Sequence, residues 1–145
     1  MKKFYITFGV IIVLAVAWFL LSPIWTVKLV NDVSPVVDTE SVAKIISEGD
    51  FVASAHDVVG KAVVIDMNGK KILRFEDFET INGPDLQIYL SKDNTASDIV
   101  NLGAIRGTKG NVNYEIPDGV DISKYNHVLV WCRAFSVLFS YAVVK

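Results

Sequence analysis

Cysteine occurs once in these 145 residues, as Cys132, and histidine twice, as His56 and His127. No paired cysteines exist for a zinc or iron–sulfur site, and no Cys-x-x-Cys-His run exists for c-type haem attachment. A blue-copper centre wants two histidines, a cysteine and usually a methionine. It would need His56, His127, Cys132 and Met67 together, and no tight Cys-x-His-x-Met spacing is present. The cofactor therefore stays open, with haem and copper the two to consider and neither carried by a motif. Gly-x-Ser-x-Gly, His-Glu-x-x-His and phosphate-loop patterns are also absent, so the chain carries no hydrolase signature and little that points to an enzyme.

Charge is missing from residues 4 to 27, between Lys3 and Lys28. As a helix those 24 residues would span about 36 Å, enough for a hydrocarbon core of about 30 Å. Trp18 and Trp25 fall in its second half, where an interfacial aromatic belt would form, and Pro23 lies near its exit. Ala15-Val16-Ala17 offers a signal-peptidase site, but the apolar run continues through Trp18-Phe19-Leu20-Leu21, and cleavage would leave a greasy N-terminus. Residues 1–28 are read as an uncleaved signal anchor. Lys2 and Lys3 keep its start cytoplasmic by the positive-inside tendency, with Lys28 a weaker counter-signal. The expectation is a single-pass plasma-membrane protein, held through residues 4–27, with its C-terminal domain outside the cytoplasm.

Twelve of the fourteen Lys and Arg and all sixteen Asp and Glu lie from Lys28 on, a net charge of −4. With no basic stripe, nucleic acid and anionic lipid are disfavoured as partners. Residues 29–43 read as a stalk carrying Pro35, and Thr39 to Ser47 as a short helix with Val42, Ile45 and Ile46 on one face, ended by Gly49.

From there the apolar period changes to two. Phe51, Ala53 and Ala55 alternate with Val52, Ser54 and His56. Runs over 61–67 and 70–75 flank Asn68-Gly69, the strongest short hairpin signal, because a type I′ turn needs positive φ at both central positions. Leu86, Ile88 and Leu90 alternate over 85–91. Ile99 to Ile105 and Asn111 to Ile116 are further strands, and 125–135 with 136–144 give two long strands or one bent one. Residues 44–145 are thus expected to be an all-β, antiparallel β-sandwich or barrel-like fold of about eight or nine strands.

Exported domains tend to pair their thiols, so a lone Cys132 suggests a reactive thiol, an intermolecular bond or a ligand. Its parity with Val128 and Val130 places it equally well as a buried core residue. On one continuous strand His127 and Cys132 would lie about 17 Å apart with opposite parity, which leaves His56 as the histidine able to meet Cys132. Glu76, Asp77 and Glu79, with Asp85 nearby, could ligate calcium, though a solvated loop accounts for them.

The chain resembles the DM-thirteen, or electron transfer DM, domain family over about residues 48 to 144. The matches are Gly49-Asp50-Phe51 with His56 and Gly60; Asn82-Gly83-Pro84-Asp85-Leu86 running into Tyr89-Leu90-Ser91; Leu102-Gly103, Gly107 and Gly110; Tyr114-Glu115-Ile116-Pro117; and Trp131-Cys132-Arg133-Ala134-Phe135-Ser136-Val137. Ser140 stands where glycine is expected in many members. The resemblance implies an extracytoplasmic β-rich domain with a redox or electron-transfer role centred on Cys132. Any haem or copper protein would be a separate redox partner, since no such module is fused here. The rival expectation is a non-catalytic binding, adhesion or envelope-assembly module in which Cys132 is plain core.

Overall fold

The computed structural model describes residues 2–21, 26–35 and 43–145. Among the described residues lie one helix, α1 (Lys2–Leu21), and nine strands: β1 (Leu29–Asn31), β2 (Ala43–Ala53), β3 (Val58–Met67), β4 (Lys70–Thr80), β5 (Leu86–Ser91), β6 (Ile99–Ala104), β7 (Lys109–Ile116), β8 (His127–Cys132) and β9 (Val137–Val143). They form one sheet in the order β1-β7-β4-β3-β2-β9-β8-β5-β6. Every neighbouring pair is antiparallel except β1 and β7, which run parallel. The sheet is therefore mixed and continuous, not the wholly antiparallel sandwich expected.

The curl comes from β2. Its first part, Ala43 to Asp50, pairs with β3, while Phe51 to Ala53 pair with β9. One long strand thus belongs to both halves and turns their inner faces toward each other. Phe51, Val64, Leu73, Phe75 and Val112 from one half meet Leu86, Ile88, Leu90, Val128, Val130 and Phe139 from the other in a single buried cluster. Of the helix expected over Thr39 to Ser47, Thr39 to Val42 lie outside the described residues, and Ala43 to Ser47 are strand. Ile45 and Ile46 fit a helical face by spacing. They are β-branched, however, and β3 offers a complete ladder with a register shift between Ile45 and Ser47 that absorbs the misfit.

The hairpin at Asn68-Gly69 is present. Asn68 has φ 53° and Gly69 φ 89°, Met67 pairs with Lys70 across the turn, and Asp66 Oδ1 accepts the Gly69 N–H at 2.9 Å. At the C-terminus the apolar run splits into β8 and β9 around a turn at 133–136, where Ser136 takes φ 53°.

The stalk is in part built into the sheet. Leu29 to Asn31 pair with Lys109 to Asn111. The Lys28 N–H donates to Thr108 Oγ1 at 2.9 Å, and the Thr108 N–H donates back to Lys28 O at 2.8 Å. Arg106 holds Asp32 through Nη1 at 2.8 Å, and the buried Arg74 donates to the Asp32 carbonyl at 3.1 Å and to Asn113 Oδ1 at 2.9 Å. A buried guanidinium needs several acceptors, and Asp32 supplies one of them beside Glu76 and Asn113. Sequence alone offers no sign of such a strap, because its partners lie between 42 and 81 positions away.

Among the described residues no helix is long and apolar enough to cross a membrane. The described side chains of α1 are nonetheless exposed apart from the half-buried Ala17, including Phe8, Val10, Ile11, Val13, Leu14 and Trp18. Pro23 and Trp25 of the expected span lie outside the described residues.

Candidate functional site

The strands present two ends. At one lie the chain connections 54–57, 81–85, 105–108 and 133–136, with the incoming segment 26–28. At the other lie Asn68-Gly69, 92–98 and 117–126. Cys132 pairs with Leu86 and Val137, which puts it at the first end. His127, five residues earlier on the same strand, pairs with Ser91 and Val143 at the other, and Met67 ends β3 at that far side. The four residues a blue-copper site would require are therefore not brought together. Among the described residues no group of three or more His, Cys, Asp or Glu could hold a metal ion.

Cys132 is a free thiol with no exposed surface, facing inward with Val128 and Val130. His56 is half-buried at the same end. Its N–H donates to the Phe139 carbonyl at 3.2 Å, and its ring lies against the Phe139 ring with centroids 4.0 Å apart. Among the described residues no hydrogen bond joins His56 to Cys132; what His56 meets is an aromatic face. Gly83 makes room for that face, since a Cβ there would sit 2.9 Å from Phe139 Cζ and 3.0 Å from Leu86 Cδ2. A glycine at this position is explained by close approach, not by φ.

Asp85 and Arg133 pair beside Cys132, on the outer face with Gln87. Arg133 Nε lies 2.7 Å from Asp85 Oδ2, the Arg133 N–H donates to the Asp85 carbonyl at 2.9 Å, and Gln87 Nε2 donates to Asp85 Oδ1 at 2.6 Å. The Arg133 hydrogen bond first, and then that of Gln87, holds the Asp85 carboxyl below its ordinary range, and Asp85 in turn raises Arg133. The pair pins the 133–136 turn to the start of β5, one residue beyond the thiol. Trp131 sits opposite Gln87 on the outer face, half-buried, while Pro84 is exposed and Phe135 stands out from the turn.

Glu76, Asp77 and Glu79 lie in strand β4, not in a loop, and the two glutamates are already paired. Glu76 lies 3.1 Å from Arg74 and 3.9 Å from Lys61, and Glu79 lies 2.8 Å from Lys109. Asp77 takes φ 49° at a register shift. Calcium has no set of converging carboxylates here.

Tyr114 and Pro117 belong to β7 and the turn after it. The Tyr114 ring is buried, and its hydroxyl accepts the Arg106 N–H at 3.1 Å. Burial pushes this phenol from 10.0 up to about 12. The folded state therefore prefers the protonated form. That contribution is complete below about pH 10 and is lost as pH rises from about 10 toward 12, amounting to about 2–3 kcal/mol. Tyr114→Phe should flatten the alkaline arm of stability against pH in chemical denaturation, while costing about 1 kcal/mol at neutral pH through the lost hydrogen bond. An unchanged alkaline arm would assign that titration elsewhere.

The described geometry is thus a lone thiol buried in the core at one end of a curled sheet, next to a charge-pinned turn. The sequence model of the Electron transfer DM13 family matches residues 50–144. The chain belongs to the Electron transfer DM13 family. The matched span runs from β2 to the end of β9 and contains Cys132, the Asp85–Arg133 pair, Gly83 and Tyr114. No curated protein and no solved structure matches the chain. Ser140, where many family members are expected to carry glycine, is fully buried, and its Oγ has no hydrogen-bond partner. An orphaned buried hydroxyl costs free energy, which is a physical reason for a smaller residue there.

Proposed function

We propose that this DM13 protein is a membrane-held redox domain on the outer side of the plasma membrane, with Cys132 as its electron-handling group and a separate redox protein as its partner. The observation that carries the reading is the family match, within which Cys132 is the single thiol. A chain with one cysteine cannot store an oxidising equivalent as an internal disulfide. Two-electron oxidation of Cys132 by an external oxidant would give a sulfenic acid, or a disulfide once a thiol of a second molecule condenses with it and water leaves; the disulfide route is the one that asks for a partner. Support for the anchor comes from the 24 uncharged residues between Lys3 and Lys28, for the orientation from Lys2 and Lys3. The Asp85–Arg133 pair acts as a latch: with it closed the thiol is inert, and a local opening of the 133–136 turn exposes it.

The rival, a binding or envelope-assembly module with Cys132 as plain core, is favoured by one fact, the complete burial of the thiol. Maleimide labelling of the folded full chain separates the two. The redox reading expects labelling of Cys132 at a rate that is flat in low urea, the mark of local opening, and faster in Arg133→Ala. Labelling that tracks global unfolding across the whole urea range, in both proteins, would leave Cys132 as a core residue.

A further inference from the structure

We infer that the Cys132 end of the domain lies on the bilayer, with Val27, Val59, Ile81 and Phe135 in contact with the lipid interface. The inference rests on the membrane anchor proposed above and adds to it the face that the domain turns to the membrane. These four side chains are 69%, 58%, 42% and 69% exposed. They come from four different segments: the chain entering from α1, the start of β3, the connection after β4 and the β8–β9 turn. A shallow cleft of about 330 Å³ lies among the first three, lined also by Thr26, Val58 and Asn82.

The covalent chain selects the occupant. Leu21 ends α1, and Thr26 is already fixed to the domain, accepting a hydrogen bond from Asn82 Nδ2 at 3.1 Å. Those residues are five Cα steps apart, so they are separated by at most about 18 Å whatever the path between them. Lys28 is held from both sides by Thr108 two residues later, which leaves no free tether beyond that point. A domain hung this closely from a spanning helix cannot turn its far end to the membrane. The Asn68 hairpin lies nine strand residues from Val59, about 30 Å away. Apolar side chains held at a lipid surface bury their exposed area in the headgroup and acyl boundary, and an aromatic such as Phe135 suits that layer. The charges at this end balance: Arg133 pairs with Asp85 and Lys109 with Glu79, and the exposed Lys28 and Asp57 are of opposite sign. The contact therefore does not depend on anionic lipid. Because Cys132 pairs with Leu86 at the same end, a redox partner reaching the thiol would approach along the membrane.

The test uses the full-length protein in phosphatidylcholine vesicles. Val59→Cys, Phe135→Cys and, as a control at the far end, Asp118→Cys are each labelled with an environment-sensitive fluorophore in a Cys132→Ala background, so that each protein carries one thiol. Lipids carrying a nitroxide near the headgroup should remove most of the emission at 59 and 135 and leave 118 bright. A variant whose circular dichroism departs from the parent's is replaced by Ile81→Cys. If protein resists carbonate extraction yet 59 and 135 stay as bright as 118, the docked face is refuted while the anchor stands. If carbonate releases the protein, the anchor fails and the docking falls with it.

Discussion

Gly60→Val should cost the domain about 4 kcal/mol or more, a large share of the 5–15 kcal/mol that ordinarily separates folded from unfolded. Gly60 lies at φ 105° in β3, at the register shift between Val59 and Lys61. A Cβ there would sit 2.6 Å from Glu76 O, 2.7 Å from Phe78 Cα and 2.8 Å from Asp77 O. All three are backbone atoms of β4, so no side-chain rotation relieves the clash. Strain from a β-branched residue at positive φ contributes about 1–3 kcal/mol, and overpacking typically a further 1–3 or more. Gly69→Val is the natural comparison. Gly69 also has positive φ, 89°, but nothing lies within 4 Å of its Cβ, so only the conformational part, about 1–3 kcal/mol, applies. Urea denaturation of both variants, as full chains in detergent, should show the loss at 60 exceeding that at 69 by about 1–3 kcal/mol. Equal losses would mean that the bulge remodels around the new side chain.

The contrast between these two glycines also marks what sequence can and cannot convey. Gly69 is legible: Asn68-Gly69 between two alternating runs specifies a turn of known dihedrals, and the strands on either side follow from period two. The inward parity of Cys132 with Val128 and Val130 was readable for the same reason, since alternation is a local property. Gly60 is not legible, because the atoms that forbid a side chain there belong to residues 76–78, and the bulge that brings them close exists only once β3 and β4 are paired. The parallel strand β1 is hidden still more deeply. Three residues beside an apolar run carry no period, and their meaning comes from Thr108, Asn111 and two arginines far along the chain. Ala43 to Ser47 misled for a related reason. Ile45 and Ile46 satisfy a helical spacing, and pairing with β3, together with a register shift, outweighed it. At the site, the sequence pointed to Cys132 and to His56 as the histidine able to meet it. It did not show that His56 would lie on Phe139, nor that Asp85, 48 positions before Arg133, would pin the turn beside the thiol.

Phe75→Ala should lower stability by about 3–5 kcal/mol, the range for truncating a buried aromatic. Phe75 has no exposed surface and is the hub of the aromatic cluster. Its ring centroid lies 4.8 Å from that of Phe51 at 83°, 4.9 Å from Phe78 and 5.2 Å from Tyr114. Deleting it removes three ring contacts, one of them edge-to-face, and leaves a cavity where β2, β4 and β7 meet. Rigid strands on both sides limit collapse into that space, so the upper part of the range is expected in denaturation of the full chain. The same variant then interrogates the thiol. Phe75 pairs with Ala62 and Val112 in one half of the sheet, and Cys132 lies at the end of the interior strand β8 in the other, next to the 133–136 turn. If Cys132 is reached only when the whole domain unfolds, a loss of about 3–5 kcal/mol should accelerate its labelling about 10²- to 4 × 10³-fold, at about 1.4 kcal/mol per factor of ten. If the Asp85–Arg133 latch opens by itself, labelling should stay close to the parent rate although the domain has lost much of its stability. The redox reading requires the second result. The first would place Cys132 among the ordinary core residues and remove the thiol from the function of this DM13 domain.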